Sequence, residues 1–208
     1  MATSPCTAVQ SCRASLRERE KADTRTRLSV AAVELLVGHG VEGATVAAIA
    51  ERAGVSTRTF DNYFACREDV LLYFVREQVA RWAKQVENAP SDMSALRILH
   101  GILKEAYARP EDDIVALGNL AVLGERIGFV LGPERRPDIE DILGPLYESV
   151  RQRVESGTEF RARLTVDLSM AACGAALRKH ATRQREGDPS VADLLDEAFE
   201  VLAHGVDC

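Results

Sequence analysis

Apolar residues recur along this chain at the three- and four-residue spacing of amphipathic helices, and no segment alternates as a half-buried strand does. The first clear run predicts a helix from Thr24 to His39, followed by a glycine-rich loop. Residues 1–23 are polar and lack an apolar period, so they predict a mobile tail. The pattern as a whole predicts an all-α protein of about nine to ten helices.

The segment Thr45–Phe64 predicts two short helices joined by a tight turn. Thr45 is placed to cap the first helix, and Gly54 stands where a helix end favours positive φ. Ser56 is placed to cap the second helix, which carries Phe60 on one side and short polar side chains on the other. This arrangement predicts a helix-turn-helix, whose second helix enters the major groove of DNA. The spacing alone also fits a helical hairpin inside an ordinary bundle.

A small apolar core is predicted to fix the angle of that second helix. Its members are Leu28, Ala32, Leu35, Leu36, Val41, Val46, Ile49, Ala50, Val55, Phe60 and Phe64.

The rest of the chain predicts further helices over about 68–88, 93–107, 111–130, 137–155, 161–183 and from Ser190 onward. Gly144-Pro145 is expected to kink or split the fourth of these. Ser190 and Asp193 have the spacing of a capping box. We therefore predict a mobile tail at 1–23, a helix-turn-helix domain at 24–67 and a second helical domain at 68–208.

The composition of the chain argues against several classes of protein, among them membrane proteins and enzymes. The chain has 208 residues and contains no apolar run long enough to span a membrane, and its first residues do not resemble a secretory signal, so a cytoplasmic protein is expected. Its five cysteines are scattered and odd in number, which favours neither a disulfide framework nor a zinc site. The four histidines are isolated and no glycine-rich phosphate loop is present. We expect no enzyme activity, metal or cofactor.

Charge is distributed unevenly along the chain. The formal net charge is −6, yet residues 1–67 carry nine Lys/Arg and seven Asp/Glu, whereas residues 68–208 carry 17 and 25. A mildly basic DNA-reading part joined to an acidic body fits this asymmetry. Several basic residues near the beginning predict an arm that touches phosphates or is simply solvated: Arg13, Arg17, Arg19, Lys21, Arg25 and Arg27.

The segment Thr26–Leu71 resembles the DNA-binding domain of the TetR family of bacterial repressors. The matching residues are LSVAAVELLVGHGVEGATVAAIAERAGVSTRTFDNYF followed by ACREDVL, about a fifth of the chain. Two positions depart from the family pattern. Asp61 stands where many members carry an aromatic residue, and Cys66 stands where a capping residue is usual. Cys66 is either an inert thiol or a redox switch activated by a helix N-terminus.

The resemblance implies roles for the DNA-contacting residues. Thr45 would bind a phosphate, Arg58 would read guanine, and Tyr63 and Arg67 would hold phosphates. The positions that match the family's recognition helix are Ser56, Thr57, Arg58, Thr59, Asn62 and Tyr63.

The resemblance also implies a dimer and an inducer pocket. Two reading helices about 34 Å apart require a symmetric dimer on a double-stranded palindromic operator, and a bound small molecule would release the repressor. The expected dimer residues are Ala171, Ala175, Leu194, Leu195, Phe199 and Leu202. The expected pocket residues are Trp82, His100, Tyr107, Leu120, Glu125, Phe129 and Tyr147. The alternative is a dimeric small-molecule-binding protein of the same fold with weak or no specific DNA binding, which Asp61 and the acidic balance support.

Overall fold

The computed structural model describes residues 5–108, 135–154, 157–182 and 187–205, and side chains within them except at 5–16, 107–108 and 136. Across these ranges the chain forms eight helices and no strand, which confirms the predicted all-α class. The helices are α1 (Pro5–Gly43), α2 (Val46–Arg52), α3 (Thr57–Asp61), α4 (Arg67–Asn88), α5 (Ala95–Ala108), α6 (Arg136–Arg151), α7 (Glu159–Thr182) and α8 (Val191–His204). The helix predicted over 111–130 lies outside the described residues.

Contacts divide the chain into two compact units, Met1–Phe74 and Val75–Cys208. The division falls within α4 rather than after residue 67, where the sequence predicted it. The first turns of α4 therefore belong to the unit that contains α1, α2 and α3.

Helix α1 is longer than predicted, since it begins at Pro5 rather than at Thr24. Residues 17–23 are exposed on all sides, so they have no apolar stripe by which periodicity would reveal a helix. Good helix formers and local bonds support this part instead, including a 3.0 Å ion pair between Lys21 and Glu18. The expected irregular tail is thus corrected over residues 5–23. At its other end α1 contains Gly40 with φ of 69°, where two helical stretches meet at a kink.

The first unit has an apolar core close to the predicted one. Leu28, Leu36, Ile49 and Phe60 are fully buried. The three predicted valines of this core remain partly exposed: Val41, Val46 and Val55. An aromatic row attaches α3 to α4. The ring centroids of Phe60 and Phe64 are 5.9 Å apart, and those of Phe64 and Tyr73 are 5.6 Å apart.

In the second unit α7 packs against α6 and α8, and α5 packs against α7 and α8. The predicted capping box is present: Ser190 Oγ accepts from the Asp193 amide at 3.2 Å, and Asp193 Oδ2 accepts from the Ser190 amide at 2.9 Å. Gly144-Pro145 does not split α6, which continues through it. Burial of Ile142 and Leu146 on either side outweighs the backbone hydrogen bond that proline removes.

A single arginine secures the loop that follows α4. Arg153 Nη1 donates to the Pro90 carbonyl at 2.7 Å, and Nη2 donates to the carbonyls of Glu87 and Ala89 at 2.9 and 2.7 Å. The last carbonyls of a helix have no partner within it, so the guanidinium supplies the missing donors.

Replacing Arg153 by alanine should therefore destabilise the second unit. We expect Arg153→Ala to lower the free energy of unfolding by about 2 kcal/mol, because several carbonyls lose a charged donor. Urea unfolding followed by the fluorescence of the single tryptophan, Trp82, measures this. The matched control is Arg151→Ala, which removes a surface pair with Glu148 and should leave the midpoint unchanged. Equal midpoints for the two variants would contradict the role given to Arg153.

Candidate nucleic-acid interface

The turn between α2 and α3 is defined by its backbone hydrogen bonds. The Gly54 amide donates to the Glu51 carbonyl at 3.0 Å, and the Val55 amide donates to the Ala50 carbonyl at 2.9 Å. These two bonds form a Schellman motif, which satisfies the end of α2. Gly54 has φ of 67°, a left-handed conformation that disfavours any side chain with Cβ. The turn therefore fixes the direction in which α3 leaves α2.

Both predicted N-caps are confirmed. Thr45 Oγ1 accepts from the Ala48 amide at 3.2 Å, and Ser56 Oγ accepts from the Thr59 amide at 3.1 Å. Ser56 Oγ also shares a 2.9 Å hydrogen bond with Thr59 Oγ1. Two of the residues expected to contact DNA thus also hold the start of α3 together.

Helix α3 has one buried and one exposed side. Phe60 is fully buried, whereas Thr57, Arg58, Asp61 and Asn62 are exposed. Within the described ranges no ion pair joins Arg58 to Asp61. Arg58 therefore presents its guanidinium to solvent, and this polar side has the donors and acceptors that base edges require.

Tyr63 lies just beyond α3 and is covered by an arginine from α1. The Arg25 guanidinium carbon is 5.5 Å from the centre of the Tyr63 ring, within cation–π distance. Arg17 and Lys21 precede Arg25 at four-residue intervals and so lie along the same side of α1. A basic stripe therefore runs along α1 up to Tyr63.

Arg67 does not present its guanidinium in the way expected of a phosphate contact. Its Nη1 donates to the Val41 carbonyl at 3.0 Å, while Nε and Nη2 donate to Glu68 Oε1 at 3.3 and 3.1 Å. The first of these bonds connects the beginning of α4 to the last stretch of α1, beyond the kink at Gly40. The guanidinium of Arg67 is occupied within its own unit.

Cys66 lacks the features of an activated thiol. Burial raises the pKa of its thiol, and hydrogen bonding to Glu68 raises it further, against the lowering effect of the Asp69 backbone. A raised pKa means less thiolate, which is the reactive form. Of the two alternatives for Cys66, these effects favour the inert thiol over the redox switch.

The second unit contains an apolar cavity of about 300 Å³. Helices α4, α6 and α7 line it with Val75, Gln78, Val79, Trp82, Ile139, Leu143, Leu146, Val166, Asp167 and Met170. Most of these residues were not predicted, because membership of a cavity depends on how three helices pack. The signal that the sequence offered for them was the regular spacing of apolar residues along each of the three helices.

Of the predicted pocket residues, Trp82 lines the cavity. His100 does not: its ring stacks on Phe199 at 4.6 Å, and its Nε2 lies 2.9 Å from Asp196 Oδ1. Tyr147 is buried and donates to Asp167 at 3.3 Å, but it does not line the cavity. The remaining predicted pocket residues are the Tyr107 side chain, Leu120, Glu125 and Phe129, which lie outside what the structure describes.

The expected dimer surface is partly corrected. Leu195 and Phe199 are 0% and 4% exposed and belong to their own protomer's core. Ala171 and Ala175 are exposed, and Leu194 and Leu202 are partly exposed. Among the residues that the structure describes, four large apolar side chains are exposed that the sequence analysis did not single out: Phe160, Leu164, Leu168 and Val201. The three on α7 continue the three- and four-residue spacing of Ala171 and Ala175. Together these residues form a second apolar stripe, which the periodicity of the sequence could have revealed.

The residues that the structure describes show neither a metal-binding cluster nor a membrane-spanning helix. No group of His, Cys, Asp or Glu in these ranges is arranged to hold a metal ion. None of the helices there combines the length and apolarity needed to cross a bilayer.

Comparison with known proteins places the helix-turn-helix in a family. Residues 28–74 match the model described as bacterial regulatory proteins, tetR family. Over 97 residues the chain is 32% identical to the HTH-type transcriptional regulator TcmR of Streptomyces glaucescens. That match covers 47% of this chain and spans less than half, 43%, of the relative's length.

Two solved structures resemble the whole fold. The fatty acid degradation regulator FadR from Bacillus halodurans aligns with a TM-score of 0.65 at 19% identity, covering 88% of this chain and 96% of that one. FadR from Bacillus subtilis, in complex with stearoyl-CoA, aligns with a TM-score of 0.63 at 19% identity, covering 87% and 98%. At such low identity the likeness shows a shared fold.

The Ser56 cap can be tested without DNA. Ser56→Ala should lower the local stability of α3 by about 1 kcal/mol, because the Thr59 amide loses its acceptor. Native-state hydrogen exchange of the α3 amides in the full chain measures this loss. Thr57→Ala is the matched control, since Thr57 is exposed and caps nothing. If both variants exchanged at the wild-type rate, the cap would not hold α3.

Proposed function

We propose that the chain is a DNA-binding regulator of the TetR family and that it acts as a repressor. It binds a palindromic operator as a dimer, and a small molecule releases it. The observation that carries this proposal is the two-sided helix α3, which is anchored by the buried Phe60 and presents Arg58 to solvent.

Sequence readout rests on the exposed side of α3. Arg58 is suited to donate two hydrogen bonds to guanine, and Thr57 and Asn62 offer shorter polar groups beside it. Thr45 and the first amides of α2 bind a phosphate, and Tyr63 with Arg25 binds another. The net positive charge of residues 1–67 favours approach to DNA.

Dimerisation rests on the apolar side of α7 and α8. Phe160 is 73% exposed, and Leu164, Leu168 and Val201 are each exposed by about two fifths. The three on α7 follow one another at four-residue intervals, and exposed apolar side chains grouped in this way are typical of a protein interface. Pairing two protomers through it provides the two reading helices that a palindrome requires.

Ligand response rests on the apolar cavity. Its wall includes Val75, Gln78, Val79 and Trp82 from α4, the helix that contributes residues to both units. A ligand that shifts α4 therefore alters how the reading helices are presented. The complex of Bacillus subtilis FadR with stearoyl-CoA supports a small-molecule ligand for this fold.

Operator selection tests the proposal. The probe is a 30-base-pair duplex recovered from a random pool by repeated retention on the purified full chain. We expect the wild type to recover a palindrome and to bind it more weakly as salt increases. A pool that yields no preferred sequence would overturn the proposal and favour the ligand-binding protein without specific DNA binding.

The role of Arg58 in sequence readout is tested separately by substitution. Arg58→Ala should weaken binding to the selected duplex by about 5- to 150-fold while changing the affinity for a scrambled duplex little, because a guanine contact discriminates by ~1–3 kcal/mol. Fluorescence anisotropy with both duplexes measures the ratio. Arg81→Ala, an exposed arginine of α4, is the control and should leave the ratio unchanged. An unaltered ratio in Arg58→Ala would remove this residue from the readout.

The dimer surface is tested by a single charge. Leu168→Glu should convert the dimer to a protomer at micromolar concentration, because pairing would bury an unpaired carboxylate. Sedimentation velocity measures the change. Ala80→Glu places the same charge at an exposed apolar position on α4 and should leave the dimer intact. A Leu168→Glu variant that sediments like the wild type would exclude this side of α7 as the interface.

A further inference from the structure

The cavity of the second unit has a mainly apolar lining, and the only charge among its described lining residues is negative. Eight of its ten lining residues are apolar, and the two polar ones are Gln78 on α4 and Asp167 on α7. Across the described residues no lysine or arginine lines it. Asp167 is therefore the charged group of the described lining, and its sign is negative.

The carboxylate of Asp167 is held in place but retains unused acceptor capacity. Tyr147 donates to its Oδ1 at 3.3 Å, and an ionised carboxylate accepts about four hydrogen bonds. Burial, followed by the charge of Asp167, raises the pKa of Tyr147 to about 12, so the phenol stays protonated as a donor. Asp167 itself is exposed, which places it at the mouth of the cavity.

Arg163, one turn before Asp167 on α7, does not line the cavity. The Arg163 guanidinium lies 4.8 Å from the centre of the Tyr147 ring and pairs with Glu159 at 3.1 Å. Together with Glu148 and Arg151, these groups line a separate surface groove. Arg163 is thus already paired with an acid, and in the described residues no ion pair joins it to Asp167.

We propose that this cavity binds a lipophilic amine, whose apolar body fills the space beside Trp82 and whose protonated nitrogen pairs with Asp167. This inference rests on the proposed ligand-responsive function and adds the ligand's chemical class. The exposed carboxylate attracts an ammonium, and burial of the ligand's apolar body against the cavity wall adds to the affinity. An anionic head of the same size would meet a like charge there.

Trp82 provides the measurement, since it is the single tryptophan of the chain and lines the cavity. Decylamine, decanol and decanoate share one chain length and differ in head charge. Titrated into the full chain, decylamine should quench Trp82 with an affinity at least about tenfold higher than decanoate, with decanol between them. Equal affinities, or tighter binding of decanoate, would overturn the inference.

Single substitutions distinguish the effect of the Asp167 charge from that of side-chain packing at the cavity. Asp167→Asn should abolish the preference for decylamine, whereas Tyr147→Phe, which leaves the carboxylate in place, should retain it. Asp141→Asn removes an exposed acid of α6 that does not line the cavity, and it should behave as the wild type. A preference that survived Asp167→Asn would overturn the inference, as would the absence of any response of Trp82 to the three compounds.

The same compounds distinguish this inference from the proposed function. Decylamine should lower the affinity of the chain for its selected duplex, and decanoate at equal concentration should not. Duplex binding with no amine preference would overturn the amine inference alone. Failure to recover any duplex would overturn the repressor proposal, whatever the amine result.

Discussion

The burial of Phe60 is the interaction on which the exposed polar side of α3 depends. Helix α3 has five residues, and a helix so short has no stability of its own in water. It exists because Phe60 is fully buried and because the Phe64 ring continues the contact to Tyr73 on α4. The Gly54 turn and the Ser56 cap then set its direction. With one side committed to the core, the other side of α3 is necessarily presented outward.

The second unit is held by polar clamps as well as by apolar packing. Lys104 on α5 donates to both carboxylate oxygens of Asp196 on α8 at 2.6 and 2.8 Å, and this contact holds the pKa of Asp196 below its usual range. The His100 ring packs on Phe199 beside it. These contacts join α5 to α8, while Arg153 secures the end of α4, one of the three helices that line the mainly apolar cavity. An apolar cavity whose surrounding helices are held in place is typical of a preformed ligand-binding site.

Local features of the sequence predicted the helix-turn-helix well, because caps and glycine turns act within a few residues. Thr45, Gly54, Ser56 and the Ser190–Asp193 box all occupy their expected places. Features that depend on distant residues were not predictable. Arg67 bonds to the carbonyl of Val41, 26 residues away. Which apolar stripe of α7 and α8 turns inward depends on how α5 packs, so Leu195 and Phe199 were assigned to the wrong surface. The beginning of α1 escaped prediction because a fully exposed helix has no apolar period.

The division of labour within α3 also bears on how such a protein changes during evolution. Thr57, Arg58, Asp61 and Asn62 contribute nothing to the core, so substitutions there cost little folding stability. These positions can therefore vary while the scaffold that carries them stays intact. By the same reasoning, packing imposes no constraint on the exposed aspartate at position 61.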